Sequence, residues 1–411
     1  MNLGREFVGI YITQEGSDLM ALNKSYIYKS PEESLFKCAE TIETPALIYD
    51  FNAIENVAKE IENDIKELKG AKLNIALKCC HNKEVLKFYA NMGLGCDVAS
   101  IYEYKIAKEA GFKYITTTAP AYKESHMIEF HEAGIIMDLD SIDQVETFGK
   151  LFPGESIGLR IRIPLPKQYE NDASFGVNSR FGVYASDQDV MNVINKYDLK
   201  VKRLHVHTGQ MTVEAFKYKM KYLLTIAEYY KDVEAIDLGG GLFYFYIKRD
   251  EVIDALRSTS RELEEWRQAN NRKMQIIFEP GGALITLCGY LVTEVMSVSF
   301  HEGYNRKIVT VDSSAWNLAP WHNPNVLVVG NDDTSLDKEK ILVAGNTLYE
   351  RDFFGNPVNG HYREFDVGPI KKGNRLIFSA SGGYTITNSR KFNAIPLPKE
   401  YKLYNSTLKE I

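Results

Sequence analysis

Four features of the chain are of a type that could do chemistry, and each closes an apolar run. Lys78 ends IALK. An amine in a partly desolvated setting has a lowered pKa and can form a Schiff base with a carbonyl. The plainer alternatives are a snorkelling surface lysine or half of a buried ion pair. The run Asp237-Leu238-Gly239-Gly240-Gly241 follows EAI. Three glycines let the backbone approach a ligand and present N–H groups to a phosphate, although the same run also makes simple tight turns. Glu279 ends QIIFE, ahead of Pro280 and Gly281. A buried carboxylate needs a partner, and a cationic ring nitrogen would serve; a surface turn is the bland reading. His207 in HVHTG offers a flat aromatic ring or a satisfied core histidine. His205 has the same strand parity, and of the two only the end residue is expected to reach a ligand.

Something must bring these residues together. From about Ala46 to Gly282 an apolar run, a polar or glycine-rich break and a helical stretch recur. The runs are LNIALK, GCDVAS, YITTTAP, IIMDLDS, IGLRIRI, VKRLHVHTG, EAIDLGGG and QIIFEPGG. Between them lie amphipathic segments such as NAIENVAKEIENDIKELKG, where Ile54, Val57, Ile61, Ile65 and Leu68 recur every three or four residues. Alternating strand and helix implies a parallel sheet with right-handed crossovers. Eight such units predict a closed (β/α)8 barrel, whose functional residues sit at the C-terminal ends of its strands. Those ends carry Lys78, Asp97, Arg160, His207, Gly239 to Gly241 and Glu279.

After Gly282 the texture changes to YLVTEVMSVSF, RKIVTVDSS, NVLVVG, KILVAG and NRLIFSA, short β-rich runs without helices between them. The fold class is therefore α/β, a parallel barrel over residues 46–282 plus a C-terminal all-β domain over 283–411. In residues 1–45 FVGIYIT is strand-like, and this segment, with ALIYD just beyond it, is expected to join the β-domain.

Composition excludes several function classes. The 411 residues carry a net charge of −6, where a nucleic-acid binder would need a basic face. The segment Gly281 to Ser299 is near a membrane span in length, but Glu294 interrupts it and its alternation reads as a buried strand. The amino terminus lacks the apolar core of a signal peptide. Five cysteines at irregular positions, with Cys79 and Cys80 adjacent, match neither a metal knuckle nor a secreted disulfide framework. A reducing, cytoplasmic setting is expected, with no metal, nucleic acid or membrane partner.

Taken together, an amine, a phosphate cradle, a carboxylate and a flat ring around one barrel mouth match what pyridoxal 5′-phosphate requires. From TPALIYD to GGYTIT the chain resembles the fold type III, or alanine-racemase-fold, pyridoxal-phosphate decarboxylases, the ornithine and diaminopimelate decarboxylase group. IALKCCHNK, DVAS with Glu103, HTG, GGG and EPG look like that family's motifs. The resemblance implies that Lys78 holds the cofactor as a Schiff base, with Asp97 and Glu103 near it. Arg160 would orient the cofactor, His207 would stack on its ring and Gly239, Gly240 and Gly241 would bind phosphate. Glu279 would pair with the ring nitrogen and Tyr384 would lie on the phosphate side. It also implies a homodimer with shared active sites, the β-domain completing each one. SRFGV resembles the family's S-K-F-G stretch, with Arg180 in place of lysine.

The departures are informative. Gly282 stands where the family has a phosphate-side arginine, and Gln210 replaces a phosphate-side serine. In Gly345-Asn346-Thr347-Leu348-Tyr349-Glu350-Arg351-Asp352, Leu348 replaces the cysteine that returns a proton to the product. Losing a general acid costs about 10²–10⁴-fold in rate, so another donor is needed; His207, Tyr349, His322 and water are candidates. Ala319 stands where diaminopimelate decarboxylases carry a substrate-gripping arginine, and Tyr349 where ornithine decarboxylases carry an acid. Trp316, Trp321, His322, Tyr349 and Arg351 are candidates for lining an altered pocket. The leading expectation is decarboxylation of an amino acid or amino-acid-like intermediate, because Glu279 keeps the cofactor ring a strong electron sink. The alternatives are an amino-acid racemase or epimerase, and a non-catalytic regulatory homologue.

Overall fold

Each of the eight apolar runs holds one strand of a closed parallel barrel, in chain order. The computed structural model describes residues 27–170, 175–330, 338–355, 357 and 360–411. One compact unit is Lys59–Ala283; the other is Leu284–Ile411 with the described residues up to Ala58. FVGIYIT lies outside the described residues. Strands are numbered along the chain from β1 (Ala46–Asp50). The barrel comprises β2 (Ala71–Ala76), β3 (Gly95–Val98), β4 (Ile115–Ala119), β5 (Met137–Leu139), β6 (Ser156–Arg160), β7 (Lys200–His205), β8 (Ala235–Asp237) and β9 (Gln275–Phe278). Pairing of Ala71 with Ile276 and Leu73 with Phe278 closes it.

Local chemistry explains where the chain turns from strand to helix. The side chains of Asn82, Ser100, Ser141 and Thr212 each cap a helix by accepting from backbone N–H groups one turn on. A short polar residue after an apolar strand therefore satisfies orphan donors that the helix itself cannot. At Ser100 the cap is reinforced. Its Oγ accepts from Glu103 N at 3.1 Å while the Glu103 carboxylate accepts from Ala99 N at 2.7 Å and meets His81 Nε2 at 2.9 Å. That reciprocal arrangement fixes the turn following β3.

The barrel interior is unusually polar. Asn74 Nδ2 donates to Thr116 Oγ1 at 3.2 Å, and Thr118 Oγ1 to Asp138 at 3.1 Å. Arg203 Nε lies 2.8 and 3.1 Å from the two Asp138 oxygens, and its Nη2 donates to Ile136 O at 2.7 Å. Gly158 accommodates this pair, since a Cβ there would overlap Asp138.

The β-rich unit is a nine-stranded assembly. Its main path runs β14 (Phe365–Val367), β13 (Glu339–Ala344), β11 (Arg306–Val311), β10 (Gly289–His301), β1, β16 (Lys399–Tyr404) and β17 (Thr407–Glu410). Off this path, β15 (Arg375–Phe378) pairs with β10 and with β12 (Val326–Val328). A register shift between Val295 and Ser297 lets β10 pair first with β1 and β15, then with β11. Tyr290 and Val292 enter one core with Ile48, Ile377 and Leu403, whereas Leu291 and Val295 enter another with Val309, Val343 and Phe378. Burial on both faces explains the unbroken apolar run. The expectation of a buried strand holds only for its first half, because most residues from Met296 to His301 are exposed.

Candidate active site

The C-terminal ends of β2 to β9 converge on a cluster of charged side chains within the barrel unit. Lys78 stands two residues past β2 on a 3-10 turn, where Leu77 and Cys79 are buried and the lysine is exposed. Its neighbours lock the backbone while its amine stays accessible.

Glu279, just past β9, is the best-anchored acid. Its N–H donates to Gly239 O at 2.8 Å, and its Oε1 accepts from Thr116 Oγ1. Its Oε2 lies 3.7 Å from His205 Nε2. One ligand atom each from His205, Asp237 and Glu279 fall within 4.8 Å of one another. Burial pushes the Glu279 carboxyl well above the usual range, and the nearby Asp237 charge pushes it further. Burial likewise raises Asp237 to about 7. With a ligand atom of each within 4.8 Å of the other, the two buried acids oppose each other's ionisation. Burial holds His205 neutral, its pKa far below the ordinary value. Such a trio can accept a hydrogen bond from a protonated ring nitrogen or hold a cation.

Asp97, on β3, is buried, and its Oδ1 has no hydrogen-bond partner among the described residues. Burial raises its pKa well above normal, Glu279 adds to this and Lys78 opposes it. His207 Nδ1 is also buried without a partner. Burial drives its pKa far down, and the charges of Lys78, Lys219 and Arg160 drive it further. The ring is therefore neutral near pH 7, suited to packing against a flat ligand rather than to acid catalysis. Arg160 ends β6 with Nε 3.5 Å from Asp140 Oδ1 and its guanidinium 4.3 Å over the Phe181 ring. Asp140 also accepts from Gly182 N at 3.1 Å, which ties the SRFGV segment to the mouth.

Gly239 and Gly241 adopt φ of +63° and +87°. A Cβ at Gly240 would come 2.8 Å from Glu279 O, and one at Gly241 would overlap Gly209 O and reach 3.1 Å from the Gln210 Cα. The glycines are thus required by close backbone approach, and they bring HTGQ, GGG and EPG side by side. Gly239 N donates to Asp237 Oδ1 at 2.9 Å, whereas the N–H groups of Gly240 and Gly241 meet no protein acceptor among the described residues. Unpaired amides beside a half-buried Gln210 make an anion cradle.

Lys219 lies behind this cradle, completely buried, with Nζ 3.5 Å from Met211 Sδ; Met211 N donates to Gly241 O at 2.9 Å. It has no ion-pair partner among the described residues, and burial lowers its pKa to about 7. An unfolded lysine titrates near 10.4, so between about pH 7 and 10 the unfolded chain holds a proton that the folded chain lacks. Stability must rise with pH across that window. Lys219→Met is expected to remove that slope and to stabilise the fold at pH 7 by on the order of 3 kcal/mol, read by denaturant unfolding at pH 7 and 9. A variant that loses stability, or keeps the slope, would refute this.

The remaining candidates lie in the β-rich unit and form two groups. Trp316 stacks on Tyr349 with centroids 5.1 Å apart, and Arg390 lies 4.8 Å over the Trp316 ring. Trp321 and His322 pack against Tyr384 at 5.4 and 6.2 Å. Burial lowers His322 to about 4, so it is not charged near neutrality. Arg351 is exposed, and Leu348 is 90% exposed. Asp352 is instead structural. Its carboxylate accepts from Ser314 Oγ at 3.0 Å, Ala315 N at 2.8 Å and Thr347 Oγ1 at 2.6 Å, which folds the loop after β13.

Sequence reasoning missed Thr116 and Asp140, named Asp237 only as the start of the glycine run, and set His205 aside. Strand parity marks all four as inward-pointing, but which strands face one another across a barrel is not written in any single run.

The cradle, the unpartnered Asp97 and His207 atoms and the acid cluster fit pyridoxal phosphate. Comparisons agree. The family model for the pyridoxal-binding domain of the pyridoxal-dependent decarboxylases matches residues 54–286. A diaminopimelate decarboxylase from Buchnera aphidicola subsp. Schizaphis graminum is 27% identical, over 90% of this chain and 91% of its own. A carboxynorspermidine/carboxyspermidine decarboxylase from Campylobacter jejuni is 26% identical, over 87% and 92%. A solved diaminopimelate decarboxylase structure superposes with a TM-score of 0.80 at 21% identity, covering 95% of each chain.

Proposed function

The chain belongs to the pyridoxal-dependent decarboxylase family, and on that premise we propose which residues carry its reaction and what kind of amino acid it takes. It is a pyridoxal-phosphate-dependent carboxy-lyase acting on an amino acid; its relatives decarboxylate, and they lend no support to a racemase or a non-catalytic homologue. The bound cofactor supplies an electron sink for the pair left at Cα when CO₂ departs.

Lys78 is the amine that anchors the cofactor aldehyde. Gly240 and Gly241 donate their N–H groups to the phosphate, with Gly239 and Gln210 shaping the cradle. Glu279 accepts from the ring nitrogen and keeps a proton there. Asp237, Thr116 and His205 hold Glu279 in place. Asp97 and Arg160 orient the cofactor, and neutral His207 packs on its face. The carrying observation is the anchored Glu279 carboxylate, because a buried acid bracketed by three polar groups is costly unless a cation uses it.

The substrate's distal end is not a free carboxylate. Ala319, at the position matching the diaminopimelate-gripping arginine, is buried and uncharged, and the acid of the ornithine enzymes is replaced by Tyr349, which stacks on Trp316. Arg390 already lies over the Trp316 ring, and the exposed Tyr349 ring favours a cationic or apolar end, which is compatible with a carboxylated polyamine of the kind named for the Campylobacter relative. A panel of L- and D-amino acids, diaminopimelate and carboxynorspermidine, assayed separately for CO₂ and for enantiomer exchange, tests this. Carboxynorspermidine or another amine-ended acid is expected to release CO₂ at least tenfold faster than diaminopimelate. Preference for diaminopimelate would refute the substrate reading, and exchange without CO₂ would refute the reaction.

Trp321, Leu348, Tyr349 and Phe392 are large apolar side chains exposed on the β-rich unit. They support a homodimer, which sedimentation would reveal. No described helix is long and apolar enough to cross a membrane. The described cysteines form no disulfide, in keeping with a cytoplasmic enzyme.

A further inference from the structure

One side chain of the barrel unit breaks the pattern of its own helix. In the helix Val213–Tyr229 the core-facing residues recur every three or four positions, and Ala215, Phe216, Met220, Leu223 and Leu224 are apolar, as that face demands. Lys219 stands in the middle of the same stripe and is completely buried. A lysine ordinarily snorkels its ammonium to water, and full enclosure without an acid is rare because a buried charge is costly. No acid answers this one. No carboxylate lies at ion-pair distance among the described residues, and Nζ meets the Met211 sulfur at 3.5 Å, a weak acceptor. The helix Arg249–Asn270 packs beside it and buries only uncharged residues.

The anion cradle lies in front of this amine. Met211 N donates to Gly241 O at 2.9 Å, so the residue that Nζ touches is fastened to the glycine run. The Lys219 charge also acts on His207, whose pKa it lowers. The segments that make the cradle are His207 to Met211, Asp237 to Leu242 and Glu279 to Ala283. They contain two acids and no lysine or arginine. A phosphate monoester carries about −1.5 to −2 charges near pH 7, and backbone amides offer it only partial positive charges. The cradle thus lacks a cation of its own, and the cation behind it lacks an anion.

On the reading that Gly240 and Gly241 take the cofactor's phosphate, we propose that Lys219 is the buried counter-charge of that phosphate, acting from behind the Met211–Gly241 contact. A side chain needed only for packing would be apolar, like its neighbours on the stripe. Titration of Lys219 is then coupled to binding. With the cradle empty, burial holds its pKa at about 7, and a phosphate dianion raises it by favouring the charged form. The cofactor is therefore expected to bind with uptake of a proton above pH 7. His207, the other titratable group in this field, is neutral in that range.

Titration of the full chain freed of cofactor tests this, with pyridoxal 5′-phosphate and pyridoxal as probes, since they share ring and aldehyde and differ by the phosphate. Lys219→Met and Lys219→Gln are each expected to weaken the phosphate-bearing probe at least tenfold, about the effect of one charge-assisted contact, and to leave pyridoxal within about twofold. Calorimetry at about pH 8.5 in buffers of different ionisation heat should find about one more proton taken up with pyridoxal 5′-phosphate than with pyridoxal in the wild type, and about none in either variant. Equal losses for both probes make Lys219 a packing residue and overturn the proposal. So does a phosphate preference or a proton uptake that survives in both variants. Gly240→Ala separates the two readings. If it lowers the phosphate preference and the Lys219 variants do not, the cradle stands and Lys219 has no part in it. If none of the three lowers it, the cradle assignment falls as well.

Discussion

Lys78→Ala is expected to abolish covalently held cofactor and to lower decarboxylation by at least the upper end of the roughly 10²–10⁴-fold range of a lost acid–base group. The expectation is that large because one side chain is asked to do two jobs, anchoring the cofactor and later accepting or donating a proton near Cα. The backbone around it is held rigid, with Leu77 and Cys79 buried on either side, so the loss falls on the amine alone. Borohydride treatment of the wild type should fix the cofactor to the peptide containing Lys78, and mass spectrometry of the digest should find no such adduct in the variant. Lys78→Arg keeps the positive charge but supplies no reactive amine, and should be as inactive as the alanine variant. A variant that keeps the visible cofactor band and retains activity within tenfold would remove Lys78 from its assigned role.

Glu279→Gln is the second large effect, a fall in kcat of about 10²–10³-fold, the usual worth of one preorganised electrostatic group. Glutamine preserves the shape and the Thr116 bond but removes the negative charge, so the ring nitrogen no longer retains its proton. The cofactor's absorbance should therefore change its pH dependence, which mere loss of packing would not produce. Asp237→Asn separates the two acids. It removes one acid of the pair, leaves the Glu279 carboxylate facing Thr116 and His205, and should lower the Glu279 pKa by removing a like charge. Its effect on kcat is expected to be within about tenfold. An unchanged kcat and an unchanged absorbance profile in Glu279→Gln would defeat the assignment of Glu279.

The missing thiol bears on both results. Leu348, which the sequence resemblance sets at the family's proton-donor position, has a hydrocarbon side chain with no acidic proton to give. Burial holds His207 and His322 neutral, which weakens two of the four substitute donors. Tyr349 and solvent remain, and a solvent isotope effect on kcat measured with Tyr349→Phe would distinguish them.

Much of this molecule could be read from one strand at a time. The eight apolar runs are barrel strands because each contains enough buried side chains to define itself locally, and the short polar residues after them cap helices by contacts of only two or three residues. Lys78, the glycine run and Glu279 were legible for the same reason, since each stands where an apolar run stops. Other features involve partners far apart in the chain. β1 lies between β10 and β16, partners more than 230 residues away, and nothing within ALIYD names either one. The two-faced burial of β10 depends on a register shift and two separate cores. The trio of His205, Asp237 and Glu279 is drawn from three strands, and parity says only that each points inward. What the sequence alone determined was therefore the list of elements and the chemical types at their ends, because hydrophobic periodicity and capping are local. Which of those ends meet and which acids lie side by side were decided only by closure of the sheet, since electrostatic energies depend on distances through space and not along the chain.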